Sequence, residues 1–202
     1  MGTGKSCLTA LVIKRLSTEQ APERIAYFYC SKDTNRPHRS QTNDILRNIV
    51  AQLSSAKMDF ILREFREHGE GKATLSTKDC TRLLSELVWA LGGCTLIIDA
   101  LDECSNPYDL LEALKTVSED TKQLRIFISS RFEIKVASEF PEAFCVPITP
   151  EDNQKDIANY VNREIERRRN IINRRNRGEP EQMNDNLATE LSEILQERAH
   201  SM

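Results

Sequence analysis

Residues 95–104, TLIIDALDEC, carry the pattern that decides the fold. The segment from Thr95 to Ile98 is a short, continuous apolar run that leads directly into Asp99. Such a run is typical of a parallel strand that is covered on both faces. We therefore predict a buried strand with Asp99 at its carboxyl end, where ligands collect in open α/β sheets.

Further strands and helices alternate around this one. Aromatic and β-branched residues predict strands at 25–30 (IAYFYC) and 124–128 (LRIFI), with a weaker one from Phe144 to Ile148. Apolar residues at helical spacing predict helices after Lys5, over 45–53, 58–67 and 83–91, and from Asn106 onward. We expect Thr42 or Asn43 to cap the second helix, and Ser76 with Asp79 to form a capping box. This alternation predicts an α/β sheet built from βαβ units.

The character of the sequence changes near Thr149. Thr149 and Pro150 predict the start of a long helix, and Leu187 to Arg198 a final one. We therefore predict two parts, an α/β core at 1–148 and a small helical segment at 149–202.

Composition limits the classes of site. Six cysteines occur without C-x-x-C spacing and three histidines are isolated, so a metal site made of protein ligands alone is not expected. A net charge of -3 gives no overall attraction to nucleic acid. Long apolar stretches and a signal-peptide pattern are absent, and we expect a cytoplasmic protein without a membrane partner.

The first residues resemble a phosphate-binding loop. We assign nucleotide binding to Gly2, Thr3, Gly4, Lys5, Ser6 and Cys7. They precede a helix, whose amides and dipole would face a phosphate, with Lys5 on the outer phosphates and Ser6 on Mg²⁺. The full pattern needs an earlier glycine that would fall before Met1, so we expect an incomplete loop.

Acidic residues follow the buried strand. We expect Asp99 to hold Mg²⁺ opposite Ser6, directly or through water. Asp102 and Glu103 are placed to orient a water molecule against a terminal phosphate, and we favour Asp102 for that role. The alternative is that one of them only caps the turn before the next helix.

Arg131 closes the sequence ISSR at 128–131, just past a predicted strand. Parallel neighbouring strands would bring it to the same sheet edge as Asp99, where a guanidinium suits recognition of a γ-phosphate. The alternative is a surface arginine.

Two other features are interpreted structurally. The basic run between Arg163 and Arg177 is interleaved with glutamates, which favours a solvated helix face over a nucleic-acid site. Trp89, alone in a leucine-rich helix, is predicted to lie in the core.

Together these segments resemble the NACHT-type P-loop nucleoside triphosphatases of the STAND class, specifically the nephrocystin-3-like N-terminal domain found in fungal incompatibility and innate-immunity-like proteins. The matching segments are GTGKSCLTALVIKRL, IAYFYCSKD, DILRNIVAQL, TLIIDALDEC, LRIFISSRFE and ITPEDNQKDIANYVNREI.

The resemblance implies a three-layer P-loop sandwich with a mostly parallel sheet and a site for Mg²⁺ with ATP or GTP. Lys5 and Ser6 would belong to Walker A, Asp99 to Walker B and Arg131 to the sensor position. Asp102, Glu103 and Arg131 would be the catalytic residues. The implied function is a signalling switch, whose partners are the nucleotide and either a second copy or other domains of a larger receptor. Because Ala100 directly follows Asp99, where many related ATPases carry a catalytic glutamate, we expect slow hydrolysis by the intact module.

The sequence departs from this family at both ends. The strand that the family places before the phosphate loop, in the middle of the sheet, is missing here. At the other end, residues 197–202 (ERAHSM) resemble the beginning of a further segment of the family, cut off before its aromatic residues. We therefore expect a fragment with unpaired strand edges and weakened nucleotide binding. The alternative function is an incomplete domain without independent nucleotide binding that acts only as an interaction or structural segment.

Overall fold

The structure, a computed structural model, describes residues 4–33, 35, 37–55, 75–175, 189–192 and 194–195. The chain divides into two compact units, one formed by Lys5–Cys145 and one by Met1–Gly4 with Val146–Met202. The helix predicted at 58–67 lies outside the described residues, as does much of the one predicted from Leu187 to Arg198.

Helices and strands alternate in the larger unit, so the predicted α/β class is confirmed. Its elements are α1 (Lys5–Glu19), β1 (Ile25–Tyr29), α2 (Thr42–Ser54), α3 (Thr77–Ala90), β2 (Cys94–Asp99), α4 (Pro107–Thr121), β3 (Leu124–Ile128) and the short α5 (Val136–Glu139).

The three strands form a parallel sheet in the order β1-β2-β3, with β2 in the centre. Tyr29 pairs with Asp99 across one edge of β2, and Ile98 pairs with Ile128 across the other. Beyond the strands, the Cys30 N–H donates to the Asp99 carbonyl at 3.0 Å. Both edges of β2 are thus paired, whereas β1 and β3 each pair with β2 alone among the described residues, so the expectation of unpaired strand edges stays a prediction.

The two faces of β2 have different surroundings. Leu96 and Ile98 point into the apolar core. Thr95 and Asp99 point to the opposite face, where α1 lies, and the Thr95 hydroxyl donates at 3.1 Å to Gln20, the residue that follows this helix. The core also contains Ile45, Leu46, Ile49 and Leu53 of α2, Leu83, Leu84 and Leu87 of α3, and Leu110, Leu111 and Leu114 of α4.

Helix α3 begins as predicted and buries a different face from the one that holds its tryptophan. Ser76 and Asp79 form the reciprocal capping box. Leu87 and Val88 are fully buried, whereas Trp89 is 74% exposed. The prediction of a core tryptophan is wrong because the leucine stripe already fills the buried side of the helix, and each further residue rotates by about 100°.

Two local expectations also differ from the structure. Residues 144–148, predicted as a weak strand, are irregular, and Phe144 is exposed. Pro147 lacks the N–H that a strand ladder uses. Gln41 is the N-cap of α2, one residue before the predicted Thr42.

The smaller unit contains the long helix α6 (Pro150–Arg175), which begins where the sequence predicts. The Thr149 N–H donates to the Asp152 carboxylate at 2.8 Å at its start. Along the helix, Arg167 and Arg168 both bind Glu164, and these bonds hold the pKa of that carboxyl below its usual value. Among the described residues, no helix combines the length and apolar character needed to cross a bilayer.

Candidate functional site

The carboxylate of Asp99 is the centre of the candidate site. It lies at the carboxyl end of β2 and is only 2% exposed. The Ser6 hydroxyl donates to its Oδ2 at 2.6 Å. The hydroxyls of Thr9 and Ser129 donate to its Oδ1 at 2.6 and 2.5 Å. These three donors compensate for the solvation that the carboxylate loses on burial.

Helix α1 supplies two of these donors because Ser6 and Thr9 are three residues apart and therefore share one helix face. Thr9 is the one fully buried residue of α1. Its hydroxyl lies 2.6 Å from Asp99 and 3.0 Å from the Lys5 carbonyl. Since a hydroxyl has one proton, the closer, charged oxygen is its main acceptor.

Ser129 joins the ends of β2 and β3 through four hydrogen bonds. Its N–H donates to the Ile98 carbonyl at 2.9 Å, and its own carbonyl accepts the Leu101 N–H at 3.0 Å. Its hydroxyl accepts the Ala100 N–H at 3.0 Å and donates to Asp99. The loop after β2 is therefore fixed to β3 on both sides of Asp99.

The chain turns sharply directly after Asp99. Ala100 has a left-handed backbone, with φ 53° and ψ 52°, which is strained for a residue with a Cβ. A single turn of 3-10 helix, Leu101–Glu103, follows it. This turn brings two further carboxylates to the same edge of the sheet.

Both of these carboxylates already accept hydrogen bonds. Asp102 accepts the Arg131 N–H at 3.0 Å and forms an ion pair with the Arg131 guanidinium, also at 3.0 Å. Glu103 accepts the Lys32 N–H at 3.2 Å. The structure therefore joins Arg131 to Asp102, whereas the sequence prediction placed Arg131 at the same sheet edge as Asp99. The hydroxyl of the adjacent Ser130 is buried and has no partner among the described residues.

The predicted phosphate-binding residues lie at the start of α1 as far as they are described. Gly4 has φ 76° and stands directly before Lys5, which is half-buried. Cys7 is exposed in the first turn. The first N–H groups of a helix lack partners within it and favour an anion. Gly2 and Thr3 lie outside the described residues.

The oxygen atoms of Ser6 and Asp99 suit magnesium. In the described part of the chain, no group of three or more histidine, cysteine or acidic residues could hold a metal ion. Mg²⁺ does not need one, because it is usually bound by one or two carboxylates together with phosphate oxygens and waters. A hydroxyl and a buried carboxylate 2.6 Å apart therefore fit this ion when phosphates supply further ligands.

Two residues of the site, Thr9 and Ser129, are not predicted from the sequence. Thr9 carries no motif, and Ser129 appears only as part of ISSR. The spacing of Thr9 from Ser6 was an available signal, because a residue three positions later faces the same way. The bond from Ser129 depends on which strands pair, and a sequence pattern does not reveal that.

Residues 1–131 match the family described as nephrocystin 3, N-terminal. Neither a curated protein nor a solved structure matches the chain significantly.

Proposed function

The chain belongs to the nephrocystin 3 N-terminal family, and from this premise we propose that it is the nucleoside-triphosphate-binding switch module of a NACHT-type STAND signalling protein. The proposed activity is slow, Mg²⁺-dependent hydrolysis of ATP or GTP. The observation that carries the proposal is the 2.6 Å hydrogen bond between Ser6 and Asp99, two residues 93 positions apart.

This bond supports nucleotide binding because of where its two ends lie. Ser6 is in the first turn of α1, where free amides and the helix dipole favour phosphate. Asp99 ends the central strand, at the sheet edge where ligands of open α/β sheets bind. Lys5, next to Ser6, adds the positive charge that an outer phosphate requires.

Ser6 and Asp99 would hold Mg²⁺, which would neutralise charge on the bound phosphates. The protein side of the site is largely organised in advance, because the Asp99 carboxylate is already oriented by three hydroxyls. Such preorganisation lowers the cost of ordering the site when the ligand binds.

Slow hydrolysis agrees with the state of Asp102, the acid favoured for orienting water. A carboxylate that orients the attacking water needs a free oxygen facing it. Both carboxylate oxygens of Asp102 are bound to Arg131, whereas Glu103 accepts the Lys32 N–H through Oε2. Ala100 has no polar side chain at the position directly after Asp99. We propose that Asp102 acts on water only after Arg131 has moved to a phosphate.

This exchange of partners by Arg131 is the proposed basis of switching. In one state Arg131 binds Asp102, and in the other it binds the γ-phosphate of the nucleotide. The loop that carries Arg131 would then respond to nucleotide state. The proposed partners are a second copy of the chain or other domains of a larger receptor in an innate-immunity-like or incompatibility pathway.

The test is binding of fluorescent ATP and GTP analogues with and without Mg²⁺. Ser6→Ala and Lys5→Ala should each weaken Mg²⁺-dependent binding by about 1.5–3 kcal/mol, roughly 10- to 100-fold. The matched controls are Ser17→Ala and Lys14→Ala, which change exposed residues of the same helix and should leave binding unchanged. Binding that is absent in the native chain, or equal in the Ser6 and Ser17 variants, would contradict the proposal.

A further inference from the structure

We propose that Thr9 and Ser129 are positioning residues that fix the Asp99 carboxylate so that its Oδ2, rather than its Oδ1, faces the metal. This inference rests on the proposed function, since it concerns how the same site would receive Mg²⁺.

The two oxygens of Asp99 have unequal surroundings. Oδ1 accepts two short hydrogen bonds, from Thr9 at 2.6 Å and from Ser129 at 2.5 Å. Oδ2 accepts one, from Ser6 at 2.6 Å. Oδ2 therefore keeps lone-pair capacity beside a second oxygen suited to Mg²⁺, whereas Oδ1 is committed to the protein.

The two donors come from different elements, α1 and the segment after β3, and are themselves held firmly. Thr9 is fully buried in α1. Ser129 is buried, and the Ala100 N–H donates to its hydroxyl at 3.0 Å, so this oxygen is oriented to give its proton to Asp99. A carboxylate held by two fixed hydroxyls at one oxygen cannot rotate without breaking both bonds.

Outer residues that orient a metal ligand affect metal affinity although they do not touch the metal. Thr9→Val removes the hydroxyl and nearly keeps the shape of the side chain. Thr9→Ser keeps the hydroxyl and loses only a methyl group. Ser129→Ala removes the second donor independently. The matched control is Thr116→Val in α4, because the exposed Thr116 makes the same type of bond to the carbonyl four residues earlier, at 3.0 Å, without a carboxylate.

The measurement is Mn²⁺ binding by electron paramagnetic resonance in the presence of a non-hydrolysable ATP analogue. Nucleotide affinity in EDTA is measured beside it, and circular dichroism checks folding. We expect Thr9→Val and Ser129→Ala to weaken Mn²⁺ binding roughly tenfold or more. Affinity in EDTA should stay within about twofold, and Thr9→Ser and Thr116→Val should behave like the native chain. If Thr9→Val does not fold, the comparison of Ser129→Ala with Thr9→Ser decides.

Each result has a distinct meaning. If the native chain binds Mn²⁺ with nucleotide and Asp99→Asn abolishes this, but neither Thr9→Val nor Ser129→Ala changes it, the positioning role is overturned and the proposed function stands. If the native chain binds no Mn²⁺ with nucleotide, the proposed function and the positioning role both fail.

Discussion

The Nε of Arg131 lies 3.0 Å from Oδ2 of Asp102, and the Arg131 backbone N–H donates to Oδ1 of the same carboxylate, also at 3.0 Å. One acid thus holds both the side chain and the backbone of one arginine. The Arg131 side chain is nevertheless 53% exposed, whereas that of Asp102 is 12% exposed. The arginine can therefore leave for another anion at modest cost, while the carboxylate stays in place.

This relationship predicts how Arg131 discriminates nucleotides. Arg131→Ala should weaken binding of the triphosphate by about 1.5 kcal/mol or more, roughly tenfold, because a charge-assisted bond to the γ-phosphate is lost. Binding of the diphosphate should change little. Calorimetric titration of ATP, ADP, GTP and GDP measures both. Arg125→Ala, which alters an exposed arginine of β3, is the control. Equal losses for triphosphate and diphosphate would show that Arg131 does not contact the γ-phosphate.

Chemical labelling of the cysteines can test whether nucleotide binds at the start of α1. Cys7 and Cys145 are exposed, whereas the other four are buried. Burial raises the pKa of Cys30 and of Cys94 to about 12, so these thiols stay protonated and unreactive at pH 8. We expect a maleimide to label Cys7 and Cys145 first.

Mg²⁺ with nucleotide should slow labelling at Cys7, because this residue directly follows Ser6, and should leave Cys145 unaffected. Peptide mass spectrometry over a time course separates the two sites, and Cys145 serves as the internal control. Protection of both cysteines to the same degree would indicate a general effect of the nucleotide rather than occupancy at α1.

Sequence patterns predict most of this fold, because each decisive pattern is local. The apolar run before Asp99, the capping box at Ser76 and the start of α4 at Pro107 all appear in the structure. What the sequence does not reveal depends on long-range pairing. The bond from Ser129 to Asp99 requires β3 to pair with β2, and the bond from Arg131 to Asp102 requires a particular turn after Ala100.

The exposure of Trp89 is another feature that the local sequence pattern does not reveal, and it leads to a prediction about stability. It is the single tryptophan of the chain and is 74% exposed, whereas Leu87 in the same helix is fully buried. Trp89→Ala should change the free energy of unfolding by no more than about 0.5 kcal/mol. Leu87→Ala should lower it by about 2–5 kcal/mol, since it opens a cavity in the core.

Urea unfolding followed by circular dichroism measures both variants. Acrylamide should readily quench the fluorescence of the native chain, because the indole is open to solvent. A loss of stability in Trp89→Ala as large as that in Leu87→Ala would place the tryptophan in the core after all.

Replacing lysine with glycine should change the free energy of unfolding in opposite directions at Lys122 and at Lys14. It follows α4 with a left-handed φ of 51°, and its N–H donates to the Ser118 carbonyl at 3.0 Å. A Cβ is unfavourable in this conformation, whereas glycine adopts it without strain. Lys122→Gly should therefore raise the free energy of unfolding by about 0.5–1 kcal/mol, after the larger entropy of glycine in the unfolded chain is subtracted.

Lys14→Gly, at an exposed position inside α1, should lower the free energy of unfolding by about 1 kcal/mol, because there the backbone is helical and the glycine only adds entropy to the unfolded state. Thermal and urea unfolding of the two variants beside the native chain test the sign, and destabilisation by Lys122→Gly would rule out the left-handed end of α4.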